Sequence, residues 1–172
     1  GEQYVGWEPQ QIDILDASNQ SDFIVAFSTK NQGATVEDDI LHIHLYHTLS
    51  KLTFIDKTNG LINSLKVDGT YNGGKVSVGK DGTSTWQITD DTFVTKTISS
   101  FDTSMYLIPQ GTETNKHTIR ITAVLADHSE KTINVNIAWQ AGYEYTYGLN
   151  LAVTRAGGEA EFAVECISER KY

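Results

Sequence analysis

The most regular feature of the chain is a two-residue alternation of apolar and polar side chains. Residues 118–125 place apolar side chains at the odd positions, and residues 131–137 repeat the pattern. Such alternation is typical of β-strands with one buried face, and no segment shows the sustained 3.6-residue period of a helix. The polar residues 127–130 between the two segments favour a turn. We therefore predict a hairpin here and little helix anywhere in the chain.

The alternation continues to the end of the sequence. After Gly142, a long predicted strand carries three tyrosines on one face, and we expect this row to pack in the core or against a neighbouring strand. The row consists of Tyr143, Tyr145 and Tyr147. A shorter alternating segment follows near the chain end, with Phe162, Val164 and Cys166 on one face. We predict a terminal strand there, which either completes its own sheet or is donated to a neighbour.

The first two thirds of the chain contain further short strands separated by turns. The segments that predict strands are 22–28, 40–48, 50–56, 61–67, 86–89, 92–98 and 105–108. Glycine-containing turns are predicted at 72–74 and 80–82. Ten to twelve short strands with little helix favour an all-β fold, a Greek-key β-sandwich or barrel. Residues 1–38 are less regular, so we assign them to the edge or end of an N-terminal β-domain and residues 39–172 to the sandwich domain.

Composition and charge narrow the possible partners. Hydrophobic residues make up 39% of the 172 residues, enough for a folded core, and 13 basic against 22 acidic side chains give a net charge of −9. That charge repels a phosphate backbone, so we expect no nucleic-acid partner. No apolar run reaches the roughly 18 residues that span a bilayer. Any membrane contact would require an N-terminal lipid anchor that is not present in this sequence.

Titratable side chains offer few candidates for chemistry. His42 and His44 have the spacing of two metal ligands on one strand face, but a solvated strand face has the same pattern, and we predict no metal site or other cofactor. His47 is expected to be a hydrogen-bonded core histidine. A hydrolase would need two carboxylates facing each other across a cleft, whereas the acidic pairs at 37–39 and 90–91 lie in predicted loops. We expect no catalytic residue.

Two other groups of residues have alternative interpretations. Cys166 is the only cysteine, so the chain has no internal disulfide, and we expect its thiol to be buried. Trp7 and Trp86 are candidate surface aromatics for binding a glycan or a host protein.

Three sequence elements, taken together, resemble the Bacteroidales-type fimbrillins, also called Mfa-like or FimA-like fimbrial subunits. The first is an apolar strand and a His, followed by a small-Leu-Ser-Lys-Leu turn into a second strand. The second is Leu-Ile-Pro-Gln, and the third is Trp-Gln-Ala-Gly-Tyr-Glu-Tyr-Thr-Tyr. The residues that carry the resemblance are His47, Leu49, Ser50, Lys51, Leu52, Pro109, Gln110, Trp139, Gly142, Tyr145 and Tyr147.

This resemblance implies a fold and a role. It implies transthyretin-like Greek-key sandwiches, no catalytic residues, and an exported lipoprotein at the cell surface, associated with the outer membrane or with fimbriae. Its partners would be other fimbrial subunits, joined by exchange of a β-strand at an open sheet edge, with a role in cell adhesion. The alternative is a surface module that binds glycans or host proteins and does not polymerise.

Overall fold

The computed structural model describes residues 10–13, 21–29, 42–79, 81–101, 103–152 and 160–172. Within these residues the chain is all β-strand and turn. The eleven strands are β1 (Gln10–Asp13), β2 (Ile24–Thr29), β3 (His42–His47), β4 (Ser50–Asp56), β5 (Ile62–Val78), β6 (Ser84–Ile98), β7 (Met105–Leu107), β8 (His117–Leu125), β9 (Glu130–Ile137), β10 (Tyr143–Ala152) and β11 (Glu161–Lys171). In these segments, no helix has the length and apolar character needed to cross a bilayer.

The strands form two main sheets and one small one. Sheet 1 has the order β6-β5-β8-β9, and β1 pairs with β5 on the side opposite β6. Sheet 2 has the order β11-β10-β4-β7, in which β10 and β4 run parallel and the other pairs run antiparallel. The short strands β2 and β3 pair with each other as sheet 3. The chain is therefore a β-sandwich, as predicted, and its transthyretin-like detail stays a prediction.

The core lies between sheets 1 and 2. Each sheet contributes the apolar residues of one face, because alternate side chains of a strand point to opposite faces. Sheet 1 supplies fully buried residues such as Leu65, Val67 and Ile121, and sheet 2 supplies residues such as Leu52 and Leu149. The polar residues at the intervening positions point outward and form the two outer faces of the sandwich.

Two strands are longer than the sequence predicts. We expected a turn at 72–74 and two short strands at 86–89 and 92–98, but β5 runs through the glycines and β6 is a single strand. The glycines accommodate register shifts between β5 and β6 instead of reversing the chain. Gly74 also allows a close approach, since a Cβ atom there would lie 3.1 Å from the Trp86 ring. The turn predicted at 80–82 is confirmed at its described residues by the bond from Gly82 N to Gly79 O.

The remaining sequence predictions have mixed outcomes. The hairpin of β8 and β9 is confirmed, with a turn at Asp127. Cys166 is exposed rather than buried. It lies on β11, which is the outermost strand of its sheet and has a neighbouring strand, β10, on one side only. The strand predicted at 40–48 is found as β3, in which Leu45 is 61% exposed. The boundary near residue 38 stays a prediction, and β2 and β3 pair across it.

Candidate functional site: the signature cluster and the terminal strand

The three family-like elements, far apart in sequence, meet in sheet 2. We call residues 47–52, 107–110 and 139–147 the signature cluster. Its central strand is β4, which lies between β7 and β10. Lys51 is paired with Tyr106 on one side and with Glu144 on the other. The elements that suggested a family thus form one continuous part of the sandwich.

The first element is held by buried backbone and hydroxyl contacts. The Ser50 hydroxyl donates a hydrogen bond to the Gln140 carbonyl at 2.8 Å. The Thr48 hydroxyl donates to the Phe23 carbonyl at 2.9 Å. Leu49 and Leu52 have no exposed surface. A small hydroxyl residue between two leucines therefore satisfies a buried carbonyl while the leucines fill the core, which is a structural role.

The third element is organised by tyrosine hydroxyls. Trp139 is 1% exposed, and its indole nitrogen donates to the Tyr147 hydroxyl at 2.8 Å. The Tyr145 hydroxyl accepts a bond from the Gln140 backbone nitrogen at 3.0 Å and donates to the Ala138 carbonyl at 3.2 Å. Burial raises the pKa of Tyr147 to about 12 and also raises the pKa of Tyr145. The hydroxyls stay protonated and act as permanent hydrogen-bonding groups, which confirms the packing role expected of the tyrosine row.

The second element connects β7 to the end of β9. Gln110 and Trp139 exchange two backbone hydrogen bonds, of 3.2 and 2.8 Å. The Gln110 side chain is 1% exposed, and neither of its amide atoms has a hydrogen-bond partner within the described part of the chain. Gly142 adopts a φ of +71°, which favours glycine, and its nitrogen donates to the Leu49 carbonyl at 2.9 Å. These backbone bonds fix the three elements relative to one another.

An ion-pair network lies on the outer face of sheet 2. Glu144 is 5% exposed and contacts Lys51 at 3.0 Å and the Arg170 guanidinium at 2.5 Å. Burial opposes ionisation of Glu144, but the hydrogen bonds from Lys51 and Arg170 outweigh it and hold its pKa below the usual value. The network joins the central strands β4 and β10 to the terminal strand β11.

Tyr172 fastens the chain end to sheet 3. Its hydroxyl lies 3.2 Å from the Leu49 carbonyl and 3.5 Å from an Asp22 oxygen, and burial raises its pKa. The second Asp22 oxygen is hydrogen-bonded to the Nδ1 atom of His47, and the His47 ring lies 4.4 Å from that of Tyr172. The predicted hydrogen-bonded histidine is therefore found, partly buried and held by a partner that the sequence did not indicate.

The terminal strand lies at the edge of sheet 2 and completes that sheet in the single chain. It pairs with β10 along its whole length, with one register shift near Thr146. Of the three candidate residues, Phe162 is buried, Val164 is half-buried and Cys166 is exposed. Although Cys166 is exposed as a residue, desolvation of its thiol by neighbouring atoms raises the pKa of that thiol. Only the first half of β11 is therefore anchored in the core.

The structure places one of the two candidate surface aromatics. Trp86 is half-buried, packs against the core, and donates its indole hydrogen to the Thr48 carbonyl at 2.8 Å. Trp7 lies outside the described residues. His44 is exposed, and among the described residues no group of three His, Cys, Asp or Glu side chains could hold a metal ion. A binding role for Trp7 and Trp86 stays a prediction.

Sequence reasoning did not find Glu144, Asp22 or Tyr172 as members of this region. Glu144 alternates with the tyrosines, so the pattern alone indicates a solvated position. Its burial follows from Lys51 and Arg170 on the two neighbouring strands. Strand pairing of this kind cannot be obtained from a single sequence, because it joins residues many positions apart.

The fold and the signature cluster define a structural β-sandwich protein, in which the residues of the cluster serve packing. The chain belongs to the fimbrillin-like family, whose sequence model matches residues 11–164. The resemblance noted in the three elements is thereby confirmed. Proteins of this family are structural, and the chain is not an enzyme. Among curated proteins, none matches the sequence.

Solved structures with a similar fold come from Bacteroides. A candidate cell adhesion protein from Bacteroides uniformis is 16% identical with a TM-score of 0.61, covering 93% of this chain and 66% of that one. One from Bacteroides ovatus is 14% identical with a TM-score of 0.47, covering 87% of this chain and 60% of that one. The chain therefore spans less than two thirds of the length of either protein, and at 16% identity the likeness to the Bacteroides uniformis protein shows the fold alone.

Proposed function

We propose that the chain is an adhesive, fimbrillin-like subunit of a cell-surface fimbrium, which associates with neighbouring subunits by exchange of its terminal strand. Family membership supports the surface and fimbrial setting. The proposal extends that setting to an exported, lipid-anchored protein associated with the outer membrane. Its partners are other fimbrial subunits.

The position and burial of β11 carry the proposal. It is the last strand, it lies at the edge of sheet 2, and its ladder to β10 extends from Glu161 to Lys171. Only Phe162 is buried within it. Burying one such side chain contributes about 1.5–3 kcal/mol. Most of the attachment therefore comes from the backbone ladder, the ion pair of Arg170 and the contacts of Tyr172, which an identical neighbouring subunit would provide equally well.

Exchange between identical subunits conserves these contacts. A strand that leaves one sheet and enters the same place in another loses and regains the same hydrogen bonds, which is the physical basis of strand swapping. The free energy difference between the exchanged and the unexchanged state then comes from the geometry of the segment that leads to β11 and from any new contacts between subunits. An edge strand with one buried anchor suits such exchange better than a central strand such as β4, which is paired on both sides.

Two cysteine variants can test the exchange directly. Asn150 and Ala163 are opposite each other in β10 and β11, and both are exposed. Opposite residues on antiparallel strands have Cα atoms about 4.5–5.5 Å apart, within disulfide range. Subunits with Asn150→Cys and subunits with Ala163→Cys, both also carrying Cys166→Ser, are mixed and oxidised. We expect a covalent dimer on a non-reducing gel.

The control pairs the Ala163→Cys subunit with one carrying Thr118→Cys, which is exposed on sheet 1. Dimer formation no greater than in this control would contradict strand exchange. A single chain that carries both Asn150→Cys and Ala163→Cys locks β11 in its own sheet. Once oxidised, it should not associate with other subunits, as measured by light scattering after gel filtration.

A further inference from the structure

The outer face of sheet 1 contains a cleft lined by residues of β5, β6, β8 and β9. Its volume is about 450 Å³, within the range of small-ligand sites. One wall is the ring of Phe93, which is 57% exposed. The other wall is polar and includes Asp68, Arg120 and Asn134. The cleft therefore combines an exposed aromatic ring with polar side chains that can form hydrogen bonds.

The polar wall is a row of side chains in direct register. Thr95, Asp68, Arg120 and Asn134 lie opposite one another on β6, β5, β8 and β9. Thr95 donates its hydroxyl hydrogen to one Asp68 oxygen, and the Arg120 guanidinium contacts the other at 3.2 Å. These bonds fix the Asp68 carboxylate between Thr95 and Arg120, and Asn134 continues the row on β9.

The aromatic wall is also fixed in place. The Phe93 ring centroid lies 5.4 Å from that of Tyr71 and 5.5 Å from that of His117. His117 is held in turn by a bond of 2.7 Å from its Nε2 atom to the Gly69 carbonyl. Both supporting rings are partly buried and hold the Phe93 ring in place, so Phe93 loses little side-chain entropy when a ligand binds.

The floor of the cleft is open because of Gly69. This residue has a φ of +95° at a register shift between β5 and β6. A Cβ atom there would lie 3.3 Å from the Thr118 carbonyl oxygen, so a side chain would crowd the floor. The bulge thus leaves a space between the aromatic ring and the polar row.

The charges of the cleft indicate a neutral ligand. Arg120 is already paired with Asp68, and the chain as a whole carries a charge of −9, which repels anions. A planar ring surface attracts C–H groups, while carboxylate, guanidinium and amide groups bind hydroxyls in pairs. A sugar ring has both properties, with an apolar face of C–H groups and a rim of hydroxyls.

We propose that this cleft binds a neutral hexopyranose unit of a glycan, with its C–H face on Phe93 and its hydroxyls on Asp68, Arg120 and Asn134. This site is separate from β11 and does not depend on how subunits associate. It also differs from the tryptophans that the sequence suggested. Binding of a single unit in an open cleft should be weak, in the millimolar range, and would gain strength through repetition along a fimbrium.

Saturation-transfer NMR on the full chain tests the proposal with methyl hexosides of the gluco, galacto and manno series and with N-acetylglucosamine. We expect transfer to at least one of them. Phe93→Ala should weaken binding at least tenfold, and Asn134→Ala should weaken it by a smaller factor. Leu61→Ala is the matched control, because Leu61 is 53% exposed but lies outside the cleft, and it should leave binding unchanged.

Methyl glucuronide serves as the charged probe and should bind at least tenfold more weakly than its neutral gluco counterpart. The melting temperatures of Phe93→Ala and Leu61→Ala should agree with that of the parent chain, which excludes unfolding as the cause of a loss. The proposal is overturned if none of the neutral sugars shows transfer, or if transfer persists unchanged in Phe93→Ala.

Discussion

Trp139 and Tyr147 form a buried side-chain hydrogen bond that can be removed by deleting one atom. In Tyr147→Phe the indole N–H of Trp139 loses its acceptor at a site that is 1% exposed. A buried donor without a partner costs about 1–3 kcal/mol, and we expect that decrease in the free energy of unfolding, measured with urea.

Tyr143→Phe is the control, since Tyr143 lies on the same strand but is only half-buried. Its effect should be within about 0.5 kcal/mol of zero. Equal losses in the two variants would show that the Trp139 bond contributes nothing specific.

Glu144 makes stability depend on pH in a defined direction. Its pKa is lower in the folded chain than the usual value of about 4.3, so the folded state binds fewer protons in the acid range. The stabilisation by Lys51 and Arg170 is therefore present at neutral pH and is lost as the pH falls through that range. We expect Glu144→Gln to be less stable than the parent at about pH 7, with the difference shrinking towards about pH 3. Urea midpoints measured over this range test the prediction, and parallel curves would contradict it.

Single residues also show what sequence could and could not predict. Alternation correctly predicted that Ile121 and Tyr145 lie on buried strand faces, because burial of one strand face repeats every second residue. It could not predict that Glu144 is buried or that Cys166 is exposed. Those outcomes depend on whether a strand is central or lies at an edge, which is decided by pairing between distant segments.

At the scale of structural elements, the loop between β7 and β8 passes close to the end of β9 at Gly111. Gly111 has a φ of +73°, and a Cβ atom there would lie 2.4 Å from the Ile137 carbonyl oxygen. Gly60 has a similar φ of +81° with nothing within 4 Å. We expect Gly60→Ala to cost only the backbone strain, about 1–2 kcal/mol, and Gly111→Ala to cost clearly more. Thermal unfolding of both variants measures the difference, and equal losses would show that the loop can move away from β9.

The terminal strand permits a complementation test. A chain that ends at residue 159 should stay folded, because β10 keeps its pairing with β4 and the core loses only Phe162 and part of Val164. It should bind a synthetic peptide of residues 160–172, as followed by fluorescence anisotropy. The same peptide with Phe162→Asp should bind at least tenfold more weakly, since it places a charge in the core. An unfolded truncated chain would show instead that β11 is required for folding of its own sandwich.

The strand lengths show where sequence prediction fails at the scale of elements. The limits of β4 were predicted correctly, because polar residues flank its alternating segment. The glycines in β5 suggested a turn, since glycine is common in turns. In the structure they allow a 17-residue strand to bend and allow Trp86 to approach closely. Glycine is therefore compatible both with a turn and with a long, irregular strand. Which of the two forms depends on the strand that pairs with it.

At the scale of the whole molecule, charge governs how copies approach one another. With a net charge of −9, two chains repel at long range. Raising the ionic strength from about 0.01 M to about 0.15 M shortens the screening length from about 30 Å to about 8 Å. We therefore expect salt to accelerate covalent dimer formation between the Asn150→Cys and Ala163→Cys subunits. A rate that falls with salt would point to attraction between oppositely charged patches.

The parallel pairing of β4 with β10 has a consequence for the order of events during synthesis. Ser50 and Gln140 are 90 positions apart, yet their contact lies at the centre of the signature cluster. A ribosome that has released β4 must therefore add strands β5 to β9 before β4 can pair with β10, although its other partner, β7, is made earlier. Until β10 is made, the edge of β4 that pairs with it has unpaired backbone N–H and C=O groups, which another strand or a chaperone can bind.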